Sequence, residues 1–528
     1  MGVEAGELGA DGAVPEAAAP PPVGARSRRR GLRCVDRWLL AVVALGVVLR
    51  FWGIGAQSLW YDEWLTSRAA SGDLDDLRGY VTGQAGIPPT YFAVMWVWAR
   101  VVGDGDAALR SFSALAGVAT IPVAYATVRE LGRRRAVARA AALLVAVHPA
   151  LVWYSQEARP YSLLCLLGAL SLWALARLWT RRGRGDLVVW AVVCALAIAV
   201  HYFAVFLVAA EVLAVLVARR PARRDVLSAG AAAGVVLVLL SPFAIRQFSR
   251  RGNHDWMTDY GLRDRLSNAG HGALAGPTLP TERWWLIAAA VVALAVVLLA
   301  VRGDRGERRA AGAAAGLGIG TVALALAANL VRVDMVLGRY LIVTLVLFIV
   351  AVAIALGTAR APRGVGWGGV AVLCGVSLVS IVVSARDPDL QRADWQAVAE
   401  AHQAGASGGD RLLVMNFHGY LGRPLQRYLE GERVVPSDET VTVEQIDFLV
   451  SNPSDRPCDS FIGLECALIF LGFGPTEAVA PDLGLRERID LGQFTIERYD
   501  TDGPLTVPVE DLVPPNDLPY SMVLLTSS

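Results

Sequence analysis

The stretch Gln57-Ser58-Leu59-Trp60-Tyr61-Asp62-Glu63-Trp64 decides how the chain is read. Two adjacent carboxylates sit among aromatic residues just after the first long apolar run. Tryptophan and tyrosine collect at membrane–water interfaces. An acidic pair at a membrane edge is costly unless it is solvated or used. The side of the membrane this pair meets, and the residues that answer it, organise the rest of the chain.

The 528 residues are 55% hydrophobic and only 18% charged, with a mean hydropathy of +0.45. That composition is α-helical and polytopic rather than soluble. The formal net charge of +1 gives no case for nucleic-acid binding. There is no lysine; all 49 basic residues are arginine, so arginine clusters report topology and little else. Residues 1–25 are rich in Ala, Pro and Gly and have no apolar core of their own. We read 1–37 as a disordered cytoplasmic tail without a cleavable signal peptide.

Arg26, Arg28, Arg29, Arg30, Arg33 and Arg37 precede the first span, 38–55, so the N-terminus is expected inside and Asp62 outside. Arg133, Arg134, Arg135 and Arg139 mark the next inner turn. Parity holds only if the apolar segment 86–102 does not cross. It carries Pro88, Pro89 and Arg100 and is short for a span of about 20 residues. Residues 56–108 then form one long external loop. Further spans are expected at 109–130, 137–154, 160–180, two within 186–218 turning at His201-Tyr202-Phe203, 225–245, 283–301, 311–330, 338–357 and 365–384. The total is about eleven, and 38–384 is the membrane domain.

Residues 385–528 are polar, with Pro, Asp and Gly throughout, and are expected to form a small extracytoplasmic α/β domain. Asp394–Ala404 reads as a helix, Arg411–Asn416 and Ala467–Leu471 as strands. Cys458 and Cys466 either form a disulfide there or remain two thiols. Cys34, Cys165, Cys194 and Cys374 show no metal-ligand spacing.

Candidate site residues gather on the outer side. Adjacent helical residues point about 100° apart, so Asp62 and Glu63 are not expected to do the same work. A carboxylate beside lipid and aromatic rings becomes a better proton acceptor. The alternative is a solvated pair capping a short interfacial helix. Glu157 and Arg159 lie in a polar break between Tyr154 and Tyr161 that returns to the same face; they are either site residues or an internal ion pair in a turn. Arg339 and Tyr340 stand at the outer mouth of a span, where arginine suits a phosphate or merely anchors the flank. Arg246, Arg250, Arg251, His254 and Arg332 are weaker candidates of that kind, and His201 is a turn residue or a ligand contact. No glycine-rich phosphate loop or His/Cys cluster occurs in the short inner loops. Any donor is therefore expected to be lipid-borne and used outside.

In order along the chain stand Ser58-Leu59-Trp60-Tyr61-Asp62-Glu63, Pro88-Pro89-Thr90-Tyr91-Phe92, Leu109-Arg110-Ser111-Phe112-Ser113-Ala114-Leu115, Tyr154-Ser155-Gln156-Glu157-Ala158-Arg159-Pro160-Tyr161, His201-Tyr202-Phe203 and Arg339-Tyr340-Leu341. This order resembles the GT-C membrane glycosyltransferases, in the branch of the protein O-mannosyltransferases and the aminoarabinose lipid A transferase. The resemblance covers roughly 38–385. The segment opening at Arg392-Ala393-Asp394-Trp395 looks like an outer domain of some bacterial members. The resemblance implies a bacterial cytoplasmic-membrane enzyme using a polyprenyl-phosphate sugar and a glycan, lipid or protein acceptor. It implies Asp62 as base, Glu63 shaping the site, and Arg339 with Arg159 on the donor phosphate. Tyr61, Glu157, His201 and Tyr340 are then substrate contacts. A lipid phosphate leaves already charged, so no cofactor is required and a divalent metal is not indicated. One departure is Ile87, where many relatives carry a histidine before the Pro-Pro pair. The rival expectation is a flippase of lipid-linked sugars, which needs a polar path across the bilayer. Mid-span positions are almost all apolar, with Glu211 the main exception.

Overall fold

The computed structural model describes residues 1–2, 36–83, 87–181, 183–218, 223–249, 261–276, 282–331, 333–405, 409–415, 422–429, 432–452, 479, 483–513 and 522–526. Trp38–Ser528 form one compact unit and Met1–Arg37 another. The apolar runs fold as helices: α1 (Arg37–Phe51), α2 (Tyr61–Ser71), α3 (Leu74–Gly83), α4 (Pro89–Val102), α5 (Asp106–Glu130), α6 (Arg135–Val147), α7 (Pro149–Trp153), α8 (Tyr161–Arg181), α9 (Arg184–Val200), α10 (Ala204–Ala218), α11 (Arg223–Ser249), α12 (Leu262–Ala275), α13 (Glu282–Arg302), α14 (Arg305–Leu330), α15 (Gly338–Leu341), α16 (Val343–Leu356) and α17 (Arg363–Arg386).

This is a multi-pass membrane protein. Among the described residues, five helices (α5, α8, α13, α14 and α17) are long and apolar enough to cross by themselves. A sixth is the bent pair of α6 with Pro149–Gln156, at 58°. Helices α10, α11 and α16 are apolar over shorter lengths.

Two of the expected spans differ from straight rods, and one expected loop is partly helical. The 137–154 segment is broken at His148. Pro149 has no N–H, which frees the Val145 carbonyl. Buried Arg50 takes that role, donating Nη2 to Val145 O at 3.0 Å and Nη1 to Ala146 O at 2.8 Å. The 338–357 segment divides at Ile342 into α15 and α16. The expected loop 246–282 contains the helix α12. The turn between α9 and α10 does fall at His201–Phe203.

The 56–108 region is a helical layer rather than an open loop. Helix α4 has 14 residues, about 21 Å at 1.5 Å per residue, which is short for a bilayer core of about 30 Å. Tyr91, Phe92 and Met95 of α4 pack with Ala69 and Ala70 of α2, Val81 of α3, Leu109 of α5, and Ile87. Close helix contacts elsewhere depend on small residues. A Cβ on Gly168 of α8 would stand 2.5 Å from Val343 Cγ2, and one on Gly318 of α14 2.7 Å from the Phe348 ring.

Beyond the last span, α18 (Trp395–Ala404) is capped by Asp394, whose side chain accepts from Ala397 N. A sheet follows, with β1 (Arg411–Met415), β2 (Arg433–Val434), β3 (Thr440–Ser451), β4 (Gly484–Asp490), β5 (Phe494–Pro508) and β6 (Met522–Thr526) in the order β2-β6-β1-β3-β5-β4. Only β1 and β3 pair in parallel among these. Alternate residues of β1 feed two cores. Leu413 and Met415 meet Trp395 and Val398 of α18, while Leu412 and Val414 face Val443 and Phe448. The expected strand Ala467–Leu471 and the Cys458–Cys466 pair lie outside the described residues.

Candidate active site

Helix α2 begins at the acidic pair, and its first turn separates the two carboxylates. Glu63 reaches back to the Trp60 N–H at 3.5 Å, as a third residue does in a capping box. Its side chain is fully buried. Arg110 of α5 meets it fork to fork, Nε to Oε1 at 2.8 Å and Nη2 to Oε2 at 2.7 Å. The Ala158 N–H adds a bond to Oε1 at 2.7 Å. Arg110 spends its other donors on Ile54 O, Gln57 O and Ser58 O. Burial alone would lift the Glu63 carboxyl; the Arg110 and Arg392 guanidiniums outweigh it and hold it below its usual value. Glu63 is thus the hub tying α2, α5 and the 157–160 turn together.

Asp62 is different. Its side chain is 20% exposed and lies between two guanidiniums, Arg159 Nη2 at 3.3 Å and Arg339 Nη1 at 3.9 Å. Arg159 also donates Nη1 to the Asp62 carbonyl at 3.2 Å. Ser113 holds the Arg159 carbonyl at 3.1 Å, which fixes the turn. The Arg339 guanidinium carbon lies 5.3 Å from the Trp60 ring centroid. Tyr340 brings its ring 5.0 Å from His201 and 6.5 Å from Tyr161. Tyr61 opens the helix and stacks on Trp64 at 6.0 Å.

His201 closes this wall. Its Nδ1 accepts the Phe203 N–H at 3.2 Å, so the ring proton of the neutral form sits on Nε2. Nε2 is buried without a hydrogen-bond partner among the described residues. Burial, with the nearby Arg159 and Arg339 charges, pushes the imidazole down to about 3. The buried Nε of Arg159 is likewise without a hydrogen-bond partner. Idle buried donors beside a partly open carboxylate leave hydrogen-bonding capacity for the acceptor atoms of a ligand.

Glu157 corrects one reading of its turn. It does not pair with Arg159. Arg392, from the segment before α18, donates Nη2 to Glu157 Oε1 at 2.7 Å, and Trp153 Nε1 donates to the same oxygen at 3.1 Å. Burial pushes the Glu157 carboxyl above its usual value despite Arg392. The structure therefore brings Asp62, Arg159, His201, Arg339 and Tyr340 together, with Glu63 and Glu157 in a buried layer behind. Arg246 is exposed near the end of α11. Arg250, Arg251, His254 and Arg332 are outside the described residues. No three His, Cys, Asp or Glu side chains gather to hold a metal among the described residues.

The sequence does not mark Arg110 and Arg392 as site residues. Both lie in motifs that were visible, Leu109-Arg110-Ser111 and Arg392-Ala393-Asp394, but nothing local marks which arginine turns inward.

Residues 87–245 match the family described as dolichyl-phosphate-mannose-protein mannosyltransferase. The likeness to that family covers less than a third of the chain. The matched segment carries Arg110, Glu157, Arg159 and His201; Asp62 and Arg339 flank it. Among solved structures, ArnT from Cupriavidus metallidurans in the apo state aligns at 19% identity over 69% of this chain and 70% of that one, with a TM-score of 0.47. The same protein bound to undecaprenyl phosphate aligns at 18% over 70% and 69%, TM-score 0.44. The S. cerevisiae protein O-mannosyltransferase Pmt1-Pmt2 complex bound to the sugar donor aligns at 16% over 41% and 34%, TM-score 0.31. Comparison with curated protein sequences gives no match.

The mid-span acid is sealed. Glu211 accepts from Trp190 Nε1 at 2.7 Å, and Ser171 Oγ lies 2.7 Å from its other oxygen. Its side chain has no exposure, so it lines no open path through the bundle.

Proposed function

We propose that the chain transfers a sugar from a polyprenyl-phosphate donor to an acceptor hydroxyl at the outer face of a bacterial cytoplasmic membrane. The observation that carries this is the position of Asp62, a partly open carboxylate facing Arg159 and Arg339. The family match supports the donor class. The topology that goes with this reading has about eleven crossings, the N-terminus inside, and 385–528 outside as an acceptor-side domain.

The acceptor oxygen attacks the anomeric carbon while Asp62 takes its proton. The bond from that carbon to the phosphate oxygen breaks, and the lipid phosphate leaves with the electron pair. Arg339 and Arg159 stabilise the phosphate charge, an electrostatic role. Tyr61, Tyr340 and His201 line the pocket; Glu63 and Glu157 hold α2 and the 154–160 turn. A single displacement inverts the anomeric centre. The reaction needs no cofactor. The rival reading as a flippase finds no support at Glu211.

The test is a panel of radiolabelled polyprenyl-phosphate sugars offered to purified protein in nanodiscs. One donor is expected to lose its label with wild type and keep it with Asp62→Asn. Equal consumption by both proteins removes Asp62 from the reaction. Translocation of an intact donor in sealed vesicles, without consumption, would favour the flippase.

A further inference from the structure

The region beyond the last span reaches into the carboxylate layer behind Asp62 through one side chain. The Arg392 side chain is 4% exposed. Besides its bond to Glu157, its Nε stands 3.9 Å from Glu63 Oε2, and its guanidinium carbon lies 4.7 Å from the Trp153 ring centroid. Its backbone N–H donates to Gln57 Oε1 at 3.2 Å. It therefore touches both acids of the layer at once.

Other contacts run the same way. The Gln396 N–H donates to Ser58 Oγ at 2.9 Å. Tyr428 Oη accepts the Leu59 N–H at 2.7 Å and donates to Asp106 Oδ2 at 2.6 Å. Arg427 donates to Asp106 Oδ1 and to Ser67 Oγ, each at 2.6 Å. The entry of α2, its middle and the start of α5 are all held from beyond residue 386.

The two acids differ in what holds them. Glu63 has Arg110 and a backbone N–H without Arg392. Glu157 has Trp153 and Arg392, and its Oε2 is buried with no hydrogen-bond partner among the described residues. Without Arg392, a buried carboxylate would stand beside Glu63 with its paired cation gone, which is strongly unfavourable. The 154–160 turn would have to move. That turn carries Arg159, and through Ala158 it holds Glu63 and hence α2.

We propose that Arg392 is a positioning residue that keys the C-terminal domain into the transfer site, fixing α2 and the Arg159 turn on either side of Asp62. The inference rests on the reading of Asp62 as the base.

The experiment uses the full chain in nanodiscs. Amide hydrogen exchange over residues 58–71 is compared in wild type, Arg392→Met, Glu157→Gln and the double variant. Methionine keeps a stem over Trp153 and removes the charge. Exchange over 58–71 is expected to rise about tenfold in Arg392→Met while α13 and α14 stay unchanged. In the double variant it returns close to wild type, because the buried carboxylate is gone. Donor turnover is expected to follow, with kcat falling about 10- to 100-fold and KM for the donor within about twofold. Unchanged exchange in Arg392→Met, or a double variant as disturbed as the single, overturns the proposal. Exchange is read without donor. A wild type that consumes no donor thus counts against the role of Asp62, while the exchange result still decides the role of Arg392. If Arg392→Met yields no folded protein, Arg392→Lys replaces it. Lysine keeps the cation beside Glu157 but lacks the fork that reaches Glu63 as well, so a smaller rise is expected, and its absence overturns the proposal.

Discussion

Glu63 and Arg110 close on each other fork to fork at 2.8 and 2.7 Å, both fully buried, one residue away from the half-open Asp62. The two adjacent acids therefore have separate fates under substitution. Glu63→Ala leaves Arg110 buried without its carboxylate, a loss of about 3–5 kcal/mol, and is expected to lower the melting temperature sharply in detergent. Asp62→Asn is expected to melt like wild type and to lose transfer. A stable, active Glu63→Ala protein would remove the hub.

Arg339 is expected to act on the donor rather than on the fold. Arg339→Gln should weaken retention of a polyprenyl phosphate about 10- to 100-fold, in line with roughly 1.5–3 kcal/mol for hydrogen bonds to a charged group. Arg339→Lys should fall between, since an ammonium lacks the bidentate fork. A direct binding titration decides this; equal affinity in all three proteins would exclude a phosphate contact.

His201 should leave a signature in the pH dependence of stability. In the folded chain the imidazole is held down to about 3 by burial and by Arg159 and Arg339, against an ordinary 6.5. Between those values the unfolded chain binds the proton and the folded chain does not. Wild type should therefore lose stability relative to His201→Gln as pH falls below about 6.5, by up to about 1.4 kcal/mol per pH unit. Parallel stability curves from pH 7 to 4 would show that the ring is not buried neutral.

Helix packing supplies a paired test. Gly168→Ala puts a methyl group 2.5 Å from Val343 Cγ2 and is expected to cost about 1–3 kcal/mol. Gly312→Ala, in α14, meets nothing within 4 Å and should be neutral or stabilising by up to about 1 kcal/mol. Thermal unfolding of the two single variants separates them; equal melting points would contradict the close approach of α8 and α16.

Much of the molecule was legible because its signals are local. Apolar runs bounded by arginine clusters mark helices wherever they occur. The parity of those clusters predicts that 86–102 does not cross, and the structure has a 14-residue helix there, packed against α2, α3 and α5. The breaks were less legible. Proline at 149 signals a bend, but that Arg50 would supply the donor for the freed carbonyls depends on a contact across 95 residues.

By itself, the sequence determined the class: a multi-pass helical protein with an acidic pair at Asp62–Glu63 on one face and arginines gathered to meet it. Hydropathy and charge clusters are one-dimensional properties, so they survive without a structure. Only the tertiary structure decided the division of labour. Adjacent residues on one helical turn face opposite environments, one sealed by Arg110 and the other opened toward Arg159 and Arg339. It also decided that Glu157 belongs to Arg392 rather than to Arg159. The cation that neutralises a buried acid is chosen by which backbone passes close enough, and residues 235 apart carry no trace of that choice in their order.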